Sequence, residues 1–317
     1  MSIKKKQSLA IVVTDIHFFF SHRIKLAEKL SKKFEIFVIS DTSVICEDNL
    51  RKHNFLRFVH LKSRLNKNIF INIISTLQYG FRLVTLLKSN KIENVFYITL
   101  ESSMIGAVAS KFLKNKNFFV ISGAYVLKER REIRSIAAKI FSLFQSDKNK
   151  FIFQNNEDQL FFKEMLGENH SSFLIKGNGI NLSSINFCSM ANIDRVKFLF
   201  ASNVFYSKGV DEYFNAARML KNSNIHADFY LAGKYNKNHP LSIKESLYNK
   251  IIKSDALEYL GPWDQITFLK NINDYHVFVF PSFGEGMPLA VMEAMASGRA
   301  LICSNVPGCN SCIHENL

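Results

Sequence analysis

The sequence predicts an α/β protein of two doubly wound domains, each a parallel sheet flanked by helices. Short apolar runs alternate with amphipathic stretches from end to end, the pattern of repeated βα units. A length of 317 residues is long for one compact core and suits two domains of about 150 residues each. Periodicity lapses between residues 177 and 195, where Asn, Ser and Gly collect, so the break falls there. We place a first domain at 1–180, a linker at 181–195 and a second domain at 196–317.

In the first domain the apolar run 8–14 reads as the opening strand. The spacing then predicts helix 21–33, strand 34–40, strand 57–61, helix 69–88, strand 94–98, helix 102–113 and strand 117–122, the strands being rich in Val, Ile and Phe. Gly123 closes the last of these. A basic helix near 129–145, strand 150–153, helix 156–166 and strand 172–175 follow. The second domain repeats the pattern with strand 196–202, helix 208–221, strand 226–232, helix 242–253, strand 256–260, helix 264–272, strand 276–280, helix 288–297 and strand 300–303. No internal repeat or low-complexity segment interrupts either series.

With 47% hydrophobic and 21% charged residues the chain is globular rather than disordered, and the 30 phenylalanines read as compositional bias. Charge is unevenly spread: residues 1–150 hold 27 Lys and Arg against 11 Asp and Glu, whereas 151–317 hold 14 against 16. Lys4, Lys5, Lys6, Lys25, Lys29, Lys32 and Lys33 begin the basic set, and Lys111, Lys114, Lys116, Lys128, Arg130, Arg131 and Arg134 continue it. Such a field attracts anionic surfaces. An anionic membrane is the expected partner, since no nucleic-acid motif supports the alternative.

Five scattered cysteines suggest a reducing compartment, and the Cys309-x-x-Cys312 spacing lacks the second pair a zinc site needs. The N-terminal lysines precede only a short apolar run, Ser8 to Thr14, which Asp15 ends, so no secretory signal is expected. The best transmembrane candidate, 69–87, contains Asn72, Gln78 and Arg82 and reads instead as a half-buried helix. Membrane contact is therefore expected to be peripheral.

The most informative stretch is Phe283-Gly284-Glu285-Gly286-Met287-Pro288-Leu289 with Glu293 following. Gly284 and Gly286 remove side chains where a ligand approaches backbone, and Pro288 suits the first helical position. The helix start offers N–H donors to a diphosphate. Glu285 in the turn and Glu293 in the helix each present two acceptor oxygens to vicinal hydroxyls, one pair on a hexose and one on a ribose. Lys208, ahead of Gly209 at a helix start, adds an ammonium beside further N–H groups.

These motifs, together with Pro281-Ser282, Gly177-Asn178-Gly179-Ile180-Asn181, Phe19-Phe20-Ser21-His22-Arg23 and Asn305-Val306-Pro307-Gly308-Cys309, resemble the retaining glycosyltransferases of family 4 (group 1). The resemblance covers most of the chain and looks most like bacterial enzymes that extend lipid-linked or surface polysaccharides. It implies the GT-B fold, two Rossmann-like domains facing across a cleft with the acceptor on the first and the nucleotide sugar on the second. Such relatives continue for several more elements, so the second domain reads as truncated.

The resemblance also implies roles. Glu285 holds the transferred sugar, Glu293 the ribose and Lys208 the leaving phosphates, with Gly209, Gly284, Gly286, Met287, Pro288 and Leu289 around the donor. Gly261, Pro262, Trp263 and Asp264 line the base pocket. Asp15, Ser21, His22, Arg23 and Gly123 serve the acceptor. An arginine implied on the phosphates is replaced by Asn203, which brings no charge, and Gly123-Ala124 lacks a histidine common among relatives.

No metal is expected, since the chain contains no Asp-x-Asp, and no cofactor beyond a nucleotide-sugar co-substrate, a UDP-sugar by preference. The expected activity moves a hexose or N-acetylhexosamine to a lipid-linked glycan at the inner face of the cytoplasmic membrane. One alternative is an inactive, truncated relative that binds only nucleotide or membrane. Another is a nicotinamide oxidoreductase, which the turn Thr14-Asp15-Ile16-His17-Phe18-Phe19 opposes by lacking the G-x-G-x-x-G fingerprint.

Overall fold

The structure is a computed structural model that describes residues 6–62, 69–168, 170–175, 177, 179–190, 194–223, 225–239 and 241–313. Lys4, Lys5, Asn178 and residues 191–193 of the expected linker lie outside these. The chain forms two compact units, Met1–Ile175 and Lys176–Leu317.

Unit 1 runs β1 (Gln7–Val13), α1 (Ile16–His22), α2 (Ile24–Ser31), β2 (Phe34–Ser40), α3 (Glu47–Arg51), β3 (Leu56–His60), α4 (Ile69–Ser89), β4 (Asn94–Ile98), α5 (Leu100–Ser110), β5 (Lys116–Ile121), α6 (Tyr125–Glu129), α7 (Arg131–Leu143), β6 (Asn149–Phe153), α8 (Asn156–Leu166) and β7 (Ser171–Leu174). Among the described residues its sheet has seven parallel strands in the order β3-β2-β1-β4-β5-β6-β7. Order reverses between β1 and β4, a switch point that opens a crevice at the strand ends. Successive residues of β1 feed opposite cores, Ala10 and Val12 one and Leu9, Ile11 and Val13 the other. Helices therefore cover both faces, which is why the strand is apolar throughout rather than alternating.

Two expected helices are present but are each preceded by a further short helix. The span 21–33 divides into α1 and α2 at Arg23 (φ −126°, ψ −13°). Helix starts earlier because the Asp15 carboxylate accepts the His17 N–H at 2.8 Å and caps α1. Within the span 129–145 the helix is α7, and α6 precedes it across Arg130, whose ψ of 97° is extended.

Unit 2 comprises β8 (Val196–Ala201), α9 (Val210–Asn222), β9 (Ala227–Ala232), α10 (Glu245–Ile252), β10 (Glu258–Gly261), α11 (Gln265–Asn271), β11 (Val277–Phe280), α12 (Leu289–Ala296), β12 (Ala300–Cys303) and α13 (Pro307–Asn310). Its five described strands are parallel in the order β10-β9-β8-β11-β12. The chain around 186–188 is docked on this unit: Asn273 Nδ2 donates to the Asn186 carbonyl at 3.0 Å, the Arg299 guanidinium donates to the Cys188 carbonyl, and Phe187 covers Gly298.

Candidate active site

Three loops, at the carboxyl ends of β8, β10 and β11, carry the sequence-predicted donor residues of unit 2, where open parallel sheets place their ligands. Lys208 does not begin a helix as expected. It ends a 3₁₀ turn, Tyr206–Lys208, and Gly209 (φ 75°) turns the chain into α9. A Cβ on Gly209 would lie 2.1 Å from the Pro281 carbonyl oxygen, so the turn sits directly on the end of β11.

That contact brings Lys208 to Glu285. The ammonium donates to Glu285 Oε1, with the lysine side chain 24% and the glutamate 13% exposed. Ser282 Oγ donates to the same carboxylate at 2.6 Å, and the Phe283 N–H donates to the Ser207 carbonyl at 2.9 Å. From below, a Cβ on Gly308 would lie 2.4 Å from the Glu285 carbonyl oxygen. The first residues of α13, Pro307 to Cys309, are thus a floor under Glu285. A lysine has three donors, so Lys208 can hold Glu285 and still bond an oxyanion.

Glu293 is 4% exposed in α12, and Gln265 Nε2 of α11 donates to its Oε1. Pro288 is not the first helical residue but the cap before it, with extended backbone (φ −74°, ψ 122°) and no side-chain cap bond. Leu289 then opens α12. Neither Gly284 nor Gly286 has a positive φ. Met287, 7% exposed, occupies the space beside Gly177, whose Cβ would lie 2.2 Å from its sulfur.

Gly261 (φ 78°) has open space around it and accepts the Gly233 N–H at 2.8 Å. Trp263 packs its ring 6.1 Å from Tyr275 in the core, while Asp264 caps α11. Asn203 is exposed just beyond β8.

In unit 1 the acceptor candidates separate. Only Asp15 follows the end of β1; Ser21 and His22 lie in the last turn of α1, because the capped helix intervenes. The His22 ring stacks on Phe18 at 4.4 Å, and its Nδ1 lies 2.6 Å from Ser21 Oγ. Arg23 is 3% exposed, and burial lowers its pKa to about 10. Its Nη2 reaches Ser122 Oγ at 3.5 Å, which puts it beside Gly123 (φ 102°) at the end of β5. Asp158 Oδ2 accepts the Ala124 N–H at 3.1 Å and so holds that turn.

Residue-level reading missed Ser207, Gln265 and Asp158, and the floor formed by Gly308. Each acts across the fold on a residue far away in sequence, and no local spacing announces it. Gln265→Leu is expected to lower the stability of unit 2 by about 1–3 kcal/mol by depriving buried Glu293 of a donor. A urea midpoint equal to that of the wild type would refute it. Among the described residues no group of three or more His, Cys, Asp or Glu is arranged to hold a metal ion. The Cys312 thiol donates to the Gly308 carbonyl at 3.4 Å, and burial raises its pKa to about 12.

Two doubly wound parallel units, the second with a lysine, two glutamates and a helix start at its strand ends, have the architecture of the GT-B fold. Residues 195–316, within unit 2, match the model of the family described as glycosyl transferases group 1. The chain is 27% identical over 296 residues to the N,N'-diacetylbacillosaminyl-diphospho-undecaprenol alpha-1,3-N-acetylgalactosaminyltransferase of Campylobacter jejuni, across 88% of this chain and 75% of that one. It is 24% identical to the UDP-Gal:alpha-D-GlcNAc-diphosphoundecaprenol alpha-1,3-galactosyltransferase of Escherichia coli, across 78% and 66%.

Among solved structures it superposes on a sucrose-phosphate synthase from Thermosynechococcus elongatus with a TM-score of 0.76 at 14% identity, covering 96% of this chain and 82% of that one. Anabaena HepE in complex with UDP and glucose gives 0.72 at 10% identity, covering 98% and 84%. Among the described residues no helix is long and apolar enough to cross a membrane.

Proposed function

We propose that the protein transfers a hexose or N-acetylhexosamine from a nucleotide sugar, by preference a UDP-sugar, to a lipid-linked glycan with retention of configuration and without a metal ion. The observation that carries the reading is the Lys208–Glu285 pair, held over a Gly308 floor and buttressed by Ser282. Glu285 takes hydroxyls of the transferred sugar, Glu293 takes the ribose, and the start of α12 bonds the diphosphate. Lys208 then stabilises charge as it develops on the leaving phosphate.

No protein nucleophile is assigned; the leaving phosphate guides the acceptor hydroxyl on the same face. The metal-free part rests on Lys208 and on the lack of an Asp-x-Asp sequence. Support for a lipid-linked acceptor comes from the two undecaprenol-diphosphate relatives, and support for the donor from the UDP-bound neighbour. The test supplies UDP-sugars with synthetic polyprenol-diphosphate sugars and reads the product by NMR. An α-linked product from an α-linked donor is expected; a β-linkage would overturn retention, and stimulation only by added divalent cation would overturn metal independence.

Peripheral docking of the basic unit on an anionic bilayer at the inner face of the cytoplasmic membrane belongs to the same reading. Helix α7 exposes Ile136 (53%) and Leu143 (74%) beside Arg131 and Lys139, which gives apolar and cationic groups on one helix. The variant Arg131→Glu/Lys139→Glu is expected to weaken co-sedimentation with phosphatidylglycerol vesicles, at about 1 kcal/mol per basic residue lost. Unchanged sedimentation excludes α7 as the docking helix.

A further inference from the structure

A diphosphate leaving group needs more positive charge than Lys208 supplies, because its ammonium is already matched by the Glu285 carboxylate. Asn203, where the family resemblance implies an arginine, adds none. The ladder between β8 and β9 shows where a second cation stands. Its parallel register ends at Ala201 opposite Ala232. Hydrogen bonds carry the register past the strand ends: the Ser202 N–H donates to the Ala232 carbonyl at 3.1 Å, and the Val204 N–H to the Lys234 carbonyl at 3.1 Å. Two steps on, that register sets Asn203 opposite Lys234.

Residues opposite one another in a parallel ladder project from the same face, on chains roughly 4.8 Å apart. Gly233 locks the two chains together here, since its Cβ would lie 1.9 Å from the Ser202 carbonyl oxygen. Lys234 is exposed and takes part in none of the ion pairs among the described residues. Its four-carbon stem spans roughly 6 Å, enough to reach what a side chain at 203 reaches.

We propose that Lys234 is the second cation of the donor site, its ammonium bonding diphosphate oxygens in place of the guanidinium missing at position 203. The inference rests on the nucleotide-sugar reading above. In this role Lys234 neutralises the bound diphosphate together with Lys208, and the amide of Asn203 leaves room for it.

Calorimetric titration of UDP and of uridine into the full chain separates the two ideas. The wild type is expected to bind UDP at least about tenfold tighter than uridine, with affinity falling as salt rises. Lys234→Met is expected to weaken UDP roughly tenfold, flatten the salt dependence and leave uridine unchanged. Lys237→Met, on the same loop, leaves both ligands unchanged. Adding Asn203→Arg to Lys234→Met is expected to restore UDP binding, because the charge returns on the neighbouring chain. If Lys234→Met binds UDP as the wild type does, the lysine has no such role and the donor reading stands. If the wild type binds UDP no better than uridine, the donor reading fails and the role of Lys234 goes with it.

Discussion

Glu285→Ala is expected to lower the rate of sugar transfer by about 100- to 1,000-fold, the scale seen when a preorganised electrostatic contact to the reacting group is removed. Two effects combine. The transferred sugar loses its carboxylate, and the Lys208 ammonium, only 24% exposed, loses the partner that aims it. Breaking a largely buried pair from one side is more costly than removing both partners, so Glu285→Ala is also expected to destabilise unit 2. Glu285→Gln separates the effects, since an amide keeps the Ser282 contact while removing the charge. Steady-state kinetics with the preferred UDP-sugar reads the outcome. Turnover within a few fold of the wild type in both variants would remove Glu285 from the site.

Gly209→Ala is expected to disrupt unit 2 strongly, because a backbone penalty and a clash with backbone act together. A φ of 75° is left-handed backbone, which costs an alanine about 1 kcal/mol, and the new Cβ would lie 2.1 Å from the Pro281 carbonyl oxygen. Neither neighbour is a flexible side-chain tip, so the turn must separate from the end of β11 and take Lys208 away from Glu285. A loss of about 3 kcal/mol, or roughly 10 °C in Tm, is expected together with loss of UDP binding. Gly261→Ala is the control. Its φ of 78° imposes the same backbone penalty, but nothing lies within 4 Å of the added Cβ. Scanning calorimetry should therefore show Gly261→Ala losing about a third as much as Gly209→Ala; equal losses would mean that the contact with Pro281 is unimportant.

Strand positions were readable because a strand covered on both faces by helices must be apolar along its length. Phe34–Ser40 and Asn94–Ile98 therefore match their sequence reading at both ends. The breaks at Arg23 and Arg130 were not readable, since an amphipathic pattern continues across each. The Asp15 cap starts α1 ahead of Arg23, and the backbone at Arg23 and Arg130 leaves the helical region. The candidate site shows the same contrast. Glu285, Gly209 and Lys208 were recognisable as residue types next to helix starts, where backbone donors and side-chain acceptors collect, and Glu293 as an acid inside α12.

By itself the sequence determined two parallel α/β units, a basic first half and the chemistry on offer at the strand ends of the second. Those properties follow from local pattern and charge, which need no knowledge of what touches what. Only the tertiary structure decided that Lys208 bonds Glu285 across 77 residues of chain, that Gln265 rather than a neighbour in sequence bonds Glu293, and that Gly308 underlies the Glu285 turn. It likewise set Lys234 opposite Asn203. These are contacts between separate strand ends, and their partners are chosen by sheet order and register, which a linear pattern of apolar and polar residues does not encode.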